Sequence, residues 1–69
     1  MSVELAFYTD KDVARRLNMS ASWVRGQRHK RRHGEPHILD LEPRYIGSCP
    51  RYVRHEVEEL IASLAESPK

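Results

Sequence analysis

Three groups of side chains in this 69-residue chain have the types and spacing to do chemistry: a histidine series, clustered carboxylates and a dense basic run. His29, His33 and His37 recur at every fourth position, with Cys49 and His55 elsewhere. Imidazole and thiolate bind zinc, and on one continuous helix this spacing would align the rings. Gly34 and Pro36 break a helix before His37, and no Cys-x-x-Cys or His-Glu-x-x-His accompanies the series. Neither a metal site nor a cofactor is therefore expected. The carboxylates Asp10 and Asp12, and Glu56, Glu58 and Glu59, stand where helices are expected to begin, the place where acids complement the helix dipole. No Ser-His-Asp or Cys-His arrangement is identifiable beside them, so an enzyme such as a small nuclease is not expected.

The basic run points elsewhere. The formal net charge is only +2, yet residues 15–33 carry seven Lys or Arg and no acid, whereas residues 1–14 sum to −2 and residues 34–69 to −3. Such a concentrated patch attracts polyanions through its long-range field and by counterion release, and so supplies sequence-independent affinity for a phosphate backbone.

The elements that must position these side chains have to be few. A chain of this length makes one small domain, expected over residues 1–69 with an ordered core of about 7–65, too small for a deep catalytic cleft. The single cysteine, Cys49, excludes an intramolecular disulfide. The lack of a signal peptide or long apolar run leads us to expect a soluble, cytoplasmic protein with no membrane partner. Mean hydropathy is low at −0.72. Even so, Val13, Leu17, Trp23, Val24, Ile46, Tyr52, Val53, Val57, Leu60, Ile61 and Leu64 recur at regular spacing, which a disordered chain lacks.

Thr9 is a candidate N-cap with Asp12 three positions on, an Asp variant of the capping box, and a first helix is expected from about Asp10 to Leu17. Val13, Ala14 and Leu17 share its inner face, while Arg15 and Arg16 point outward. Asn18 can close it in a left-handed conformation. Ser20 then caps a second helix whose Trp23 and Val24 face the first, leaving Ala21, Ser22, Arg25 and Arg28 towards solvent. Small residues at its start permit close approach to a groove, and Arg25 is suited to a bidentate contact with guanine, with Ser22 beside it. The helix should end by about Arg32, before Gly34 and Pro36. Residues 34–43 read as a loop with a short extended piece at Ile38 to Leu41.

Arg44 to Val53 reads as two β-arms around a Gly-Ser-Cys-Pro turn, a wing packed through Tyr45, Ile46, Tyr52 and Val53, with Arg44 and Arg51 projecting towards phosphate or minor groove. Pro50 fits the edge of a ribbon and not the middle of a sheet. A last helix from about Arg54 to Ala65 presents Val57, Leu60, Ile61 and Leu64 inward and Glu56, Glu58 and Glu59 outward, and Glu66 to Lys69 reads as a frayed tail. The expected fold is thus mainly α with a small β-hairpin: a winged helix-turn-helix of three helices and a two-stranded wing.

The succession Tyr8-Thr9, Asp12-Val13-Ala14, Leu17-Asn18-Met19-Ser20, Trp23-Val24-Arg25, Tyr45-Ile46-Gly47, Arg51-Tyr52 and Glu56-Val57-Glu58-Glu59-Leu60 resembles the small winged helix-turn-helix proteins of the excisionase type. These share their DNA-binding design with the MerR superfamily and include AlpA-like phage regulators. The resemblance spans roughly residues 7–64. Asn18 stands where that family usually has a turn glycine, and the stretch from His29 to Pro43 is longer than its usual link into the wing.

The resemblance implies that Ser20, Ala21, Ser22, Arg25 and Arg28 enter the major groove of double-stranded DNA. It also implies that the wing tip, Gly47 to Pro50 with Ser48 at its centre, reaches an adjacent backbone or the minor groove. Lys30, Arg31, Arg32, Arg44 and Arg51 are the expected backbone contacts. Proteins of this type bend DNA near phage attachment sites, often assembling on it, and bias an integrase towards excision; many also repress a promoter. A phage or mobile-element excisionase is therefore expected, with a prophage transcriptional regulator as the alternative. A protein-interaction module using the acidic face of the last helix is the third possibility.

Overall fold

The computed structural model describes residues 6–66 as three helices and a small three-stranded antiparallel sheet, mostly α. In chain order the elements are β1 (Phe7–Tyr8), α1 (Asp10–Leu17), α2 (Ala21–Arg32), β2 (Arg44–Ile46), β3 (Cys49–Val53) and α3 (Arg54–Glu66). The expected tail after Glu66 lies outside the described residues, and Glu66 itself closes α3.

Local capping chemistry sets the α1–α2 corner. Thr9 Oγ1 accepts from the Asp12 backbone N–H at 3.1 Å while the Asp12 carboxylate accepts from the Thr9 N–H at 2.9 Å, a reciprocal pair that satisfies two otherwise orphaned donors. Asn18 takes the left-handed conformation (φ 57°, ψ 42°), which its short polar side chain tolerates better than most. Its backbone N–H returns to the α1 carbonyls of Ala14 and Arg15. Ser20 Oγ then accepts from the Trp23 N–H at 3.0 Å and starts α2 at once. Helix α2 stops at His33, and Gly34 follows at φ 71°, where a side chain would be strained.

The core consists of Val13, Ala14, Val24, Leu39, Leu41, Tyr52 and Val57, flanked by Tyr8, Leu17, Trp23, Leu60 and Ile61. Four expected packing residues lie outside it: Tyr45, Ile46 and Leu64 are exposed, Ile46 by 54%, and Val53 is half-buried. The hairpin is too short, and β2 too far towards the edge of the sheet, for its side chains to be covered.

The sheet differs from the expected two-stranded wing by one strand. Its order is β1-β3-β2, with Phe7 opposite Val53 and Tyr8 opposite Tyr52 on one side of β3, and Arg44 opposite Arg51 and Ile46 opposite Cys49 on the other. Pro50 consequently sits in the central strand. The arrangement is tolerated because Gly47-Ser48 is a two-residue turn, so Ile46 and Cys49 form the first hydrogen-bonded pair and the next residue, Pro50, turns its nitrogen away from β2. The β1 pairing begins only at Tyr52 and does not reach that nitrogen.

The segment between α2 and β2 is packed, although it has no regular structure. Leu39 and Leu41 are 2% and 5% exposed, and the buried Gln27 side chain accepts from the backbone N–H groups of Ile38 (2.7 Å) and Leu39 (3.1 Å). Leu39 and Leu41 alternate around exposed Asp40, the inward and outward rhythm of extended chain.

Candidate nucleic-acid interface

Helix α2 buries Val24 and Gln27 and turns the opposite face to solvent. Ser22, Arg25, Gly26, His29, Arg32 and His33 are all exposed, at the three- and four-residue intervals that place them on one outward stripe, with Lys30 beside it. The helix contains no acidic residue. His29 and His33 lie ring against ring, their centroids 4.3 Å apart. His37 is not part of that pair: its Nδ1 lies 2.8 Å from the Glu35 carbonyl, and its other nitrogen is 3.6 Å from Asp40. Among the described residues no three His, Cys, Asp or Glu side chains are placed to hold a metal ion.

The basic residues divide by what they touch. Arg25 and Lys30 are exposed, and among the described residues their side chains make no hydrogen bond or ion pair. Arg32 donates to Tyr45 Oη at 2.8 Å, a neutral partner, so among the described residues its charge is uncompensated. Arg31 donates to Asp40 at 3.0 Å, and this guanidinium, ahead of His37, holds the Asp40 carboxyl below its usual range. Arg44 is tied to Glu56 at 2.8 Å and to the Glu42 carbonyl, while Arg51 donates to the neighbouring Pro50 carbonyl. Ser48 is exposed in the hairpin turn, Ser20 is engaged as the α2 cap, and Ala21 is half-buried in the first turn.

Arg28 corrects the expectation that it faces solvent. Its side chain is only 16% exposed and donates to both carboxylate oxygens of Asp10, itself 17% exposed, and to Tyr52 Oη at 3.0 Å. The hydrogen bond to Asp10 raises the guanidinium's pKa above its ordinary value. Burial raises that of the Tyr52 phenol, against the opposing effect of the Arg28 hydrogen bond. Arg28 therefore joins the start of α1 to α2 and the sheet, a structural role in which its charge is already answered.

The acids of α3 are likewise less free than an outward face implies. The Glu58 carboxylate accepts from Arg16 through both oxygens and from Tyr8 Oη at 2.8 Å, which pushes its pKa down to about 2. Arg16 points outward as expected, its side chain 46% exposed, and also ties α1 to α3. His55 and Glu59 pair one turn apart, at 2.9 Å.

A groove of about 370 Å³ runs between α2 and the β2–β3 hairpin, lined by Arg25, Arg28, His29, Arg32, Tyr45 and Pro50. No helix of the described residues is long and apolar enough to cross a membrane. No family model matches the chain, and comparison with curated proteins and with solved structures finds no match.

Proposed function

We propose that the protein binds double-stranded DNA as a winged helix-turn-helix. In this arrangement α2 is the recognition helix in the major groove, and the β2–β3 hairpin is the wing that meets the adjacent backbone or minor groove. The observation that carries this function is uncompensated positive charge on one outward face. Arg25 and Lys30 have no partner among the described residues, Arg32 has only a phenol, and the stripe they occupy is uninterrupted by any acid. Arg16, Arg28, Arg31 and Arg44, by contrast, each have a carboxylate partner. Within this function, the resemblance in sequence supports a phage or mobile-element excisionase that acts on DNA beside an integrase. A transcriptional regulator would use the same surface.

Fluorescence anisotropy with labelled duplexes across a salt series tests the proposal. Binding should weaken steeply as salt rises. Arg25→Ala should cost on the order of 1–3 kcal/mol on the preferred site and relax preference at one base pair. Equal losses on preferred and random duplexes would remove Arg25 from base recognition, and salt-insensitive or absent binding would remove the DNA function altogether. Footprinting over an attachment site, with and without integrase, separates excision from transcription control.

A further inference from the structure

We propose that the groove between α2 and the β2–β3 hairpin seats one phosphodiester of the DNA duplex, gripped by the Arg32 guanidinium with His29 as a second donor. This rests on the DNA-binding function proposed above and adds to it a defined backbone contact.

The groove is selected by its charge. Among the described residues no carboxylate lines it. The larger hollow between the 33–43 segment and α3, about 440 Å³, sets Arg31 and Arg44 against Asp40, Glu42, Glu56 and Glu59, so its charges offset one another. A small hollow of about 180 Å³, lined by Arg31, Arg32, Pro43 and Tyr45 among others, admits Glu42. Of these three hollows among the described residues, the α2–hairpin groove is the one that sets the uncompensated Arg32 in a wall free of carboxylates, the setting in which an anion gains most from a guanidinium.

Within the groove the arginines are not equivalent. The charge of Arg28 is met by Asp10. Arg32 spends one N–H on Tyr45 Oη and keeps its remaining donors and its full charge. The planar fork of a guanidinium matches two oxygens of a phosphate, a bidentate contact that a point charge cannot copy. Tyr45 is a positioning residue: by holding one nitrogen of Arg32 it reduces the rotamer freedom lost when the phosphate arrives. Arg25 lies seven residues nearer the start of α2, about 10 Å along the axis, so a phosphate seated at Arg32 leaves Arg25 for a base edge. The backbone strand then passes between α2 and the hairpin, which straddle it.

The test is a backbone scan on the preferred duplex, selected from random sequences, with a neutral methylphosphonate placed at one position at a time. The unaltered protein should show a position where substitution weakens binding about tenfold, as expected for loss of one charge-assisted contact. In Arg32→Ala that penalty should vanish and the salt slope should fall by about 1. Arg32→Lys, with the charge but without the fork, should retain part of the penalty. Arg25→Ala should keep it in full while its base preference changes, and Tyr45→Phe should lower affinity only about two- to threefold, the order of one modest hydrogen bond. A penalty that persists in Arg32→Ala, or an unchanged salt slope, overturns the seat and leaves the DNA function standing. Absence of salt-sensitive duplex binding by the unaltered protein overturns both.

Discussion

Replacing Gln27 by methionine should unfasten the segment that leads from α2 to the hairpin. Methionine keeps the length and most of the volume of glutamine but removes the oxygen that accepts from the Ile38 and Leu39 N–H groups at 2.7 and 3.1 Å. The Leu39 N–H belongs to a residue 2% exposed and cannot turn to water without opening the core, so its loss of a partner should cost ~1–3 kcal/mol. Ile38 is 61% exposed, and its N–H recovers much of its bond from solvent. A total of about 2–3 kcal/mol is therefore expected, which in a domain of this size lowers Tm by roughly 10–20 °C. Whole-domain stability at this length is only on the order of 3–10 kcal/mol, so the variant should be visibly marginal. Urea denaturation gives the free energy, and hydrogen exchange should show the Leu39 amide losing more protection than those of α1. Ile38→Ala is the control, expected within about 0.5 kcal/mol of the unaltered protein. If Gln27→Met matched that control, or if Leu39 stayed protected, the side chain would not be the fastening.

Other perturbations separate structural from interfacial charge. Arg28→Ala leaves the mostly buried Asp10 without its partner and should lower stability by about 1–3 kcal/mol, read by thermal melts; an unchanged Tm would return Arg28 to the solvent-facing set. The pKa of Glu58 is about 2 when folded against an ordinary 4.5, so the folded state binds fewer protons over that interval. Its contribution is therefore present above about pH 4.5 and lost as pH falls towards 2. The stability gap between the unaltered protein and Glu58→Gln should close across that window, and a gap independent of pH would contradict the tie to Arg16 and Tyr8. Gly26 lies mid-helix on the outward stripe, and a Cβ there would meet nothing within 4 Å. Gly26→Ala should accordingly stabilise the free protein by about 0.5–1 kcal/mol, seen in urea melts. If α2 docks closely, the same change should weaken duplex binding; unchanged affinity would place the DNA off that stripe.

Features decided within a few residues were legible in the chain. Thr9 with Asp12, Asn18 and Ser20 each act through neighbours no more than four positions away, and the helices they bound formed where those signals fell. The hairpin turn was expected over Gly47 to Pro50, but only Gly47 and Ser48 form it, and Cys49 and Pro50 open β3. Gln27 left a fainter signal: it stands three positions after buried Val24, where a polar side chain requires an internal partner. Leu39 and Leu41 left another, in their alternation around Asp40. Strand β1 left none, because two residues carry no periodicity.

The sequence by itself therefore determined the local elements and the basic stretch from Arg15 to His33. Which of those cations remain available was decided only by the tertiary structure. Arg16 meets Glu58 from 42 residues away and Arg28 meets Asp10 from 18, while Arg25 and Lys30 meet nothing among the described residues. Composition counts all these charges alike. An ion pair instead depends on two side chains that packing brings within hydrogen-bond reach, and that proximity exists only once the helices and sheet have closed on the core.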